Sequence, residues 1–236
     1  MFHPDIIQAF KAHALSEYPR EACGFVVDGK FLAKQNVSAD PYRTFEIAAA
    51  EYPLDKELQA VLHSHPDGRL EPSASDIQGQ LDTAVPWGLV TVQNGQVSEP
   101  LFWGPGVPIP PLVGRKFRSG PSGSDGMGDC YALIRDYYRL EKGIELKDYP
   151  RDEDWYSQGQ NLYLDHFADC GWARITEKEM QPGDVFLMQI RSPVPNHGGI
   201  YLGKGLGLHH LVQTLSRHEN ISRYRKLITH FMRYVG

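Results

Sequence analysis

Cysteine is scarce in this chain, three in 236 residues. An odd, small number without a secreted framework excludes a disulfide scaffold, so no disulfide is expected. No apolar run approaches the ~20 residues that a membrane-spanning helix needs. Met1–Asp5 carries no cationic segment leading into an apolar stretch, so no signal peptide is expected. The chain is therefore expected to fold in a cytosol and to reach any target beyond it by another route. Positive charge is not in excess: the net charge is −5, with no basic block and no RNA-binding aromatic motif. That removes a general drive toward nucleic acid or anionic membrane. Internal repeats and heptads are missing too. What remains is 41% hydrophobic and 22% charged, ordinary for a globular protein. The length suits one large domain or two small ones, each able to bury a core.

Residues 4–17 read as a helix, with Ile6, Ile7, Phe10 and Ala14 at helical spacing and Pro19 just past the end. Strands are expected at 23–27 and 31–37 around the turn Asp28-Gly29, at 61–65, and at 87–92 before Asn94-Gly95. A helix over 74–84 would be capped by Ser73 or Ser75. From Glu99 to Asp129, prolines, glycines and serines disfavour helix and sheet and read as an inter-domain linker. Its members Leu101, Phe102, Trp103, Leu112 and Val113 suggest partial packing on a domain. The expected division is 1–98, a linker over 99–111, and 112–236. In the second half, helices are expected at 130–142 and 155–169, and strands at 183–190, 197–202, 208–212 and 226–235.

The first half carries His63-Ser64-His65-Pro66, then Ser73-Ala74-Ser75-Asp76. On an extended strand, residues two apart face one way, so His63 and His65 can grip one ion. Asp76, in the first turn of the following helix, can return as third ligand. Three nitrogen and oxygen ligands with a fourth position open are the arrangement of catalytic zinc. Glu21 could take a proton from activated water and hand it to a leaving amine. Ser73 could donate to an oxyanion. Ser64 and Ser75 need only capping or exposure to explain them, and Cys23 beside Gly24 reads as core. The pattern of Glu21, His63, His65, Ser73 and Asp76 resembles the JAMM (JAB/MPN+) metallopeptidases over about residues 1–98. The resemblance implies an α/β domain with a central sheet flanked by helices, one zinc ion, and hydrolysis of amide or isopeptide bonds.

The second half holds Asp129-Cys130 at a helix start, then His197-Gly198-Gly199-Ile200-Tyr201-Leu202-Gly203, then His209. A thiol at a helix N-terminus is expected to have a lowered pKa. His197 would share its proton, and a third polar group would orient the imidazole. This wording resembles the NlpC family of papain-like cell-wall peptidases over about residues 112–236. The family implies an α+β domain with an antiparallel sheet and an N-terminal catalytic helix. It also implies a site of Cys130, His197 and a third residue at His209, with His210 as the competitor. The implied substrate is the peptidoglycan stem peptide. The inserted stretch Ser119–Ser124 and the acidic, aromatic run Asp152–Tyr156 depart from the simplest pattern and could narrow the cleft.

A JAMM half joined to an NlpC-like half resembles a family of tail-tip components of lambda-like phages. That implies a virion location at the tail tip, other tail-tip proteins and peptidoglycan as partners, and action at the host cell wall. The expected function is a cysteine endopeptidase joined to a zinc hydrolase that processes or docks a tail protein. The alternatives are a structural assembly factor with vestigial sites, or a cytosolic JAMM peptidase acting on ubiquitin-like proteins.

Overall fold

The structure is a computed structural model that describes residues 2–236, Asp169 by its backbone alone. It falls into two compact units: residues 2–108 with 123–125, and residues 109–122 with 126–236.

The first unit opens with α1 (Pro4–Glu17), where proline tolerates the first turn and His3 caps it by accepting from the Asp5 amide. Its buried side, Ile6, Phe10 and Ala14, packs on one face of a sheet built from β1 (Cys23–Val27), β2 (Lys30–Lys34), β3 (Leu58–Pro66), β4 (Trp87–Gln93), β5 (Gln96–Val97) and β6 (Leu101–Trp103). The path is β2-β1-β3-β4-β5, with β6 on β4. Only β3 and β4 run parallel. A parallel pair needs a crossover, and α2 (Ala74–Thr83) supplies it. The period-2 alternation of β3 sends Ala60 and Leu62 to the α1 face, and Val61, His63 and His65 to the other. There Cys23, Phe25, Leu89, Leu101 and Trp103 form a second core.

Leu101–Trp103, placed in the linker by the surrounding prolines, form a fully buried strand antiparallel to Trp87–Leu89. No proline lies within those three residues, so the apolar triplet is free to pair. Ser64 also departs from expectation. It is buried, not exposed, and its hydroxyl accepts from the Ala22 amide at 2.9 Å.

The second unit is one antiparallel sheet covered on one face by helices. Its strands are β7 (Trp172–Ile175), β8 (Val185–Met188), β9 (His197–Gly203), β10 (Leu206–His209), β11 (Arg217–Asn220) and β12 (Ile228–Tyr234), in the order β11-β10-β9-β8-β12-β7. The helix α3 (Cys130–Tyr137) packs Leu133 and Ile134 onto Val185, Leu187, Ile200 and Leu208. The helix expected over 130–142 widens into a π-turn at Tyr138–Lys142 and ends at Gly143, whose φ is 65°. The helix expected over 155–169 is broken: a 3-10 turn at Trp155–Gln158, then α4 (Leu162–Phe167), then another 3-10 turn. Gly159 between them sits at φ 83°, a left-handed conformation that interrupts a helix. Together the units give the mixed architecture expected, a sheet flanked by helices and an antiparallel sheet with an N-terminal helix.

Candidate functional site

In the first unit, β3 and the N-terminus of α2 bring His63, His65 and Asp76 together. The two Nε2 atoms lie 3.3 Å apart, and each lies 3.3 Å from a carboxylate oxygen of Asp76. Zinc bonds of ~2.0–2.1 Å in tetrahedral array put ligand atoms about 3.3 Å apart, so these residues fit the ion. Asp76 is the N3 residue of a capping box: its Oδ2 accepts from the Ser73 amide and hydroxyl, both at 2.7 Å. Burial opposes ionisation of Asp76, but His63 and His65 hold its carboxyl well below the usual range. Burial lowers His63, whose ring stacks on Phe45 at 4.8 Å. His65 is also opposed by burial, but Asp76 raises it overall.

Glu21 and Ser73 line the same cavity of about 520 Å³ as His65 and Asp76. Burial, against the attraction of His65, raises Glu21 to about 7. The Ser73 hydroxyl is engaged by the cap and by Ser75 at 2.8 Å, so donation to a substrate needs it to turn. The sequence reading missed Ser64 as the tie between β3 and the start of β1. Its backbone amide also bonds the Ala22 carbonyl at 3.0 Å, fixing the register of Glu21 against the two histidines.

In the second unit, Cys130 occupies the first position of α3 behind the N-cap Asp129, which accepts from the Ala132 amide at 2.7 Å. Cys130 and His197 line one cavity of about 480 Å³, with Asp152, Glu153, Trp155 and Tyr156 on its wall. His197 Nε2 lies 3.2 Å from His209 Nδ1, and His209 Nε2 lies 3.2 Å from Glu219. His210 takes no part in this chain. It is buried against Phe117, with the backbone of Arg115 and Thr214 beside it. Two glycines permit the close approach. A Cβ on Gly198 would meet Ile134 at 2.9 Å, and one on Gly199 would meet the His209 Cβ at 2.7 Å.

The expected lowering of the thiol pKa is overturned. Burial, with the Asp129 charge adding to it, pushes Cys130 up to about 11 despite the Tyr163 hydroxyl and the Gly198 backbone. Burial likewise drives His197 down to about 3. The resting pair is thus a neutral thiol and a neutral imidazole. Sequence reasoning missed Tyr163, whose hydroxyl is 3.3 Å from the sulfur. It missed Arg151 too, which bonds Asp129 at 2.5 Å and Asp148 at 2.7 Å. Tyr163 lies within the helix expected over 155–169, but its reach to a thiol 33 residues away is not a local signal.

Residues 114–233 match the NlpC/P60 family, and residues 3–103 match the prokaryotic homologs of the JAB domain. The tail tip assembly protein K of Escherichia phage lambda is 38% identical over 75% of this chain and 81% of its own. That of Escherichia phage N15 is 35% identical over 89% and 86%. Among solved structures, NlpC1 from Trichomonas vaginalis is 21% identical, with a TM-score of 0.36, over 52% of this chain and 40% of that one.

Proposed function

The chain belongs to the family of the phage tail tip assembly protein K, joining a JAB-like domain to an NlpC/P60 domain, and from that premise we propose that it is a tail-tip peptidase cutting peptidoglycan stem peptides through Cys130. The observation that carries this reading is Cys130 and His197 on the wall of one cavity, with His197 bonded to His209. The partners are other tail-tip proteins and the wall itself, and the location is the tail tip of the virion.

Because both groups rest neutral, the thiol proton passes to His197 as the sulfur attacks, by general-base catalysis and not from a preformed ion pair. The Cys130 sulfur bonds the carbonyl carbon of the scissile amide. The C–N bond then breaks, with the amine taking the proton from His197. Water, activated by the same imidazole, releases the acyl group and restores the thiol. His209 holds the ring of His197 throughout.

The JAB-like half acts as a zinc hydrolase that processes or docks a tail protein. His63, His65 and Asp76 would hold the ion, which when bound would supply Lewis acidity and a water that ionises near neutral pH. Glu21, on the wall of the same cavity, would accept and return a proton there.

Incubating the chain with purified Gram-negative peptidoglycan, then identifying fragments by mass spectrometry, tests the reading. Stem-peptide cuts lost in Cys130→Ala but kept with a chelator are expected. Cuts retained in Cys130→Ala overturn the nucleophile, and no cuts in any arm leave a role in assembly.

A further inference from the structure

The chain of hydrogen bonds behind Cys130 does not end at the third residue. His209 Nε2 faces Glu219 at 3.2 Å, and only 12% of the Glu219 side chain is exposed. We infer that Glu219 is a positioning residue of the Cys130 site, fixing the tautomer of His209 and through it the tautomer of His197. The inference rests on the reading of Cys130 and His197 as nucleophile and base.

The order of donors follows from the acceptor at the end. An ionised carboxylate has no proton to give, so His209 must donate through Nε2. The neutral ring then keeps its lone pair on Nδ1. That atom lies 3.2 Å from His197 Nε2, so it accepts, and His197 must carry its proton on Nε2. The lone pair of His197 is left on Nδ1, the nitrogen outside the chain. A base is thereby provided for the thiol proton. Without Glu219, His209 could protonate Nδ1 and donate to His197 Nε2. The proton of neutral His197 would then sit on Nδ1, and no base would remain.

Glu219 is built to stay ionised. Arg217 approaches on its own strand β11 at 3.1 Å, Tyr224 donates to Oε2 at 2.8 Å, and Arg223 pairs with Oε1. Burial works against its charge, but Tyr224, Arg217 and His209 hold it at about 2. The groups facing the rest of the chain are Tyr224 and Phe186 against His209. His210 bears on His197. None of them is a carboxylate that could replace Glu219.

Long-range nitrogen–proton NMR of the intact chain reads histidine tautomers directly. The expected wild-type result is an unprotonated Nδ1 on both His209 and His197. A proton on His197 Nδ1 overturns the inference with no variant needed. Glu219→Gln keeps the volume but not the charge. It is expected to mix the His209 tautomers and to lower kcat on stem peptide by at least about 10-fold, as wrong-tautomer variants of nucleophile–histidine sites do, with KM nearly unchanged. Glu219→Asp is expected to recover part of the loss. Arg225→Ala, an exposed residue paired with Glu177, serves as the control. A kcat within about twofold of wild type in Glu219→Gln, with its tautomers unmoved, overturns the inference. Absence of hydrolysis in wild type would sink the peptidase reading instead, while the tautomer measurement would still stand.

Discussion

Asp129 offers the sharpest separation of charge from shape in the second unit. Its Oδ1 accepts from the Ala132 amide at 2.7 Å, capping α3, and from Arg151 at 3.2 Å. Its Oδ2 accepts from the Gly120 amide at 3.1 Å and from Arg151 Nε at 2.5 Å. Asp129→Asn keeps a good N-cap, since asparagine caps as well as aspartate. With the oxygen kept at the cap, it puts an NH2 group against both the Gly120 amide and the Arg151 Nε, donor against donor. Breaking a buried ion pair from one side costs ~3–5 kcal/mol. Arg151 keeps Asp148 at 2.7 Å, so the expected cost is smaller, about 2–4 kcal/mol. Asp129→Ala also loses the cap, about 1 kcal/mol more. Hydrogen exchange on the full chain reads this locally. At ~1.4 kcal/mol per tenfold, protection of the Leu133 and Ile134 amides should fall roughly 30- to 700-fold in Asp129→Asn. The Phe10 amide in α1 should not change. A fall of less than about threefold in α3 would refute the claim that this carboxylate holds the helix bearing the thiol.

The raised thiol sets a pH dependence. The folded value of about 11 lies above the ~8.5 of a free thiol. Its contribution is therefore fully present below that lower value and lost as pH rises toward 11. Stability of wild type relative to Cys130→Ala should fall over that window by on the order of 3 kcal/mol, measured by urea titration at stepped pH. A flat difference would show the thiol is not held neutral by folding. At the first site, His63→Ala and Asp76→Ala should each lose zinc by equilibrium dialysis with elemental analysis, while Glu21→Gln keeps it. Stoichiometric zinc in Asp76→Ala would remove that residue from the ligand set. Ser64→Ala leaves the buried Ala22 amide without its hydroxyl partner and should cost about 1–3 kcal/mol. Unchanged chemical denaturation would show that the amide finds another acceptor.

Elements whose apolar residues repeat at the right period were legible before any coordinates. The stripe Ile6, Phe10 and Ala14 gave α1 its bounds, and Ser73 or Ser75 marked the start of α2, with the structure choosing Ser73 as the cap. Reading failed where the deciding contact is distant. The strand β11, Arg217-His218-Glu219-Asn220, has no apolar alternation and exists through pairing with β10. Glu219 was invisible for the same reason, since only that register sets it beside His209. Tyr163 sits 33 residues from the thiol it touches. The shift of Cys130 was misjudged because a helix N-terminus is a local signal, while burial is a property of the folded unit.

The two sites share a building rule that bears on how variants should be interpreted. In each, a strand supplies imidazoles, and the first turn of a helix supplies the remaining group. Asp76 is both ligand candidate and half of a capping box, and Asp129 is both cap and partner of the arginine behind the thiol. Helix N-termini need such caps because their first amides have no partner within the helix. Using the cap for the site ties the position of each reactive group to the stability of its helix. A loss of activity in Asp76→Ala or Asp129→Ala therefore confounds chemistry with fraying. Asp76→Asn separates them at the first site, because its amide oxygen can still accept from Ser73 while the charge is gone; at Asp129 the amide also breaks the Arg151 pair, so activity there has to be read beside the exchange of α3. In Asp76→Asn, α2 should keep its protection from exchange while zinc binding weakens. Loss of both together would mean that the carboxylate is needed to hold the helix even before any ion arrives.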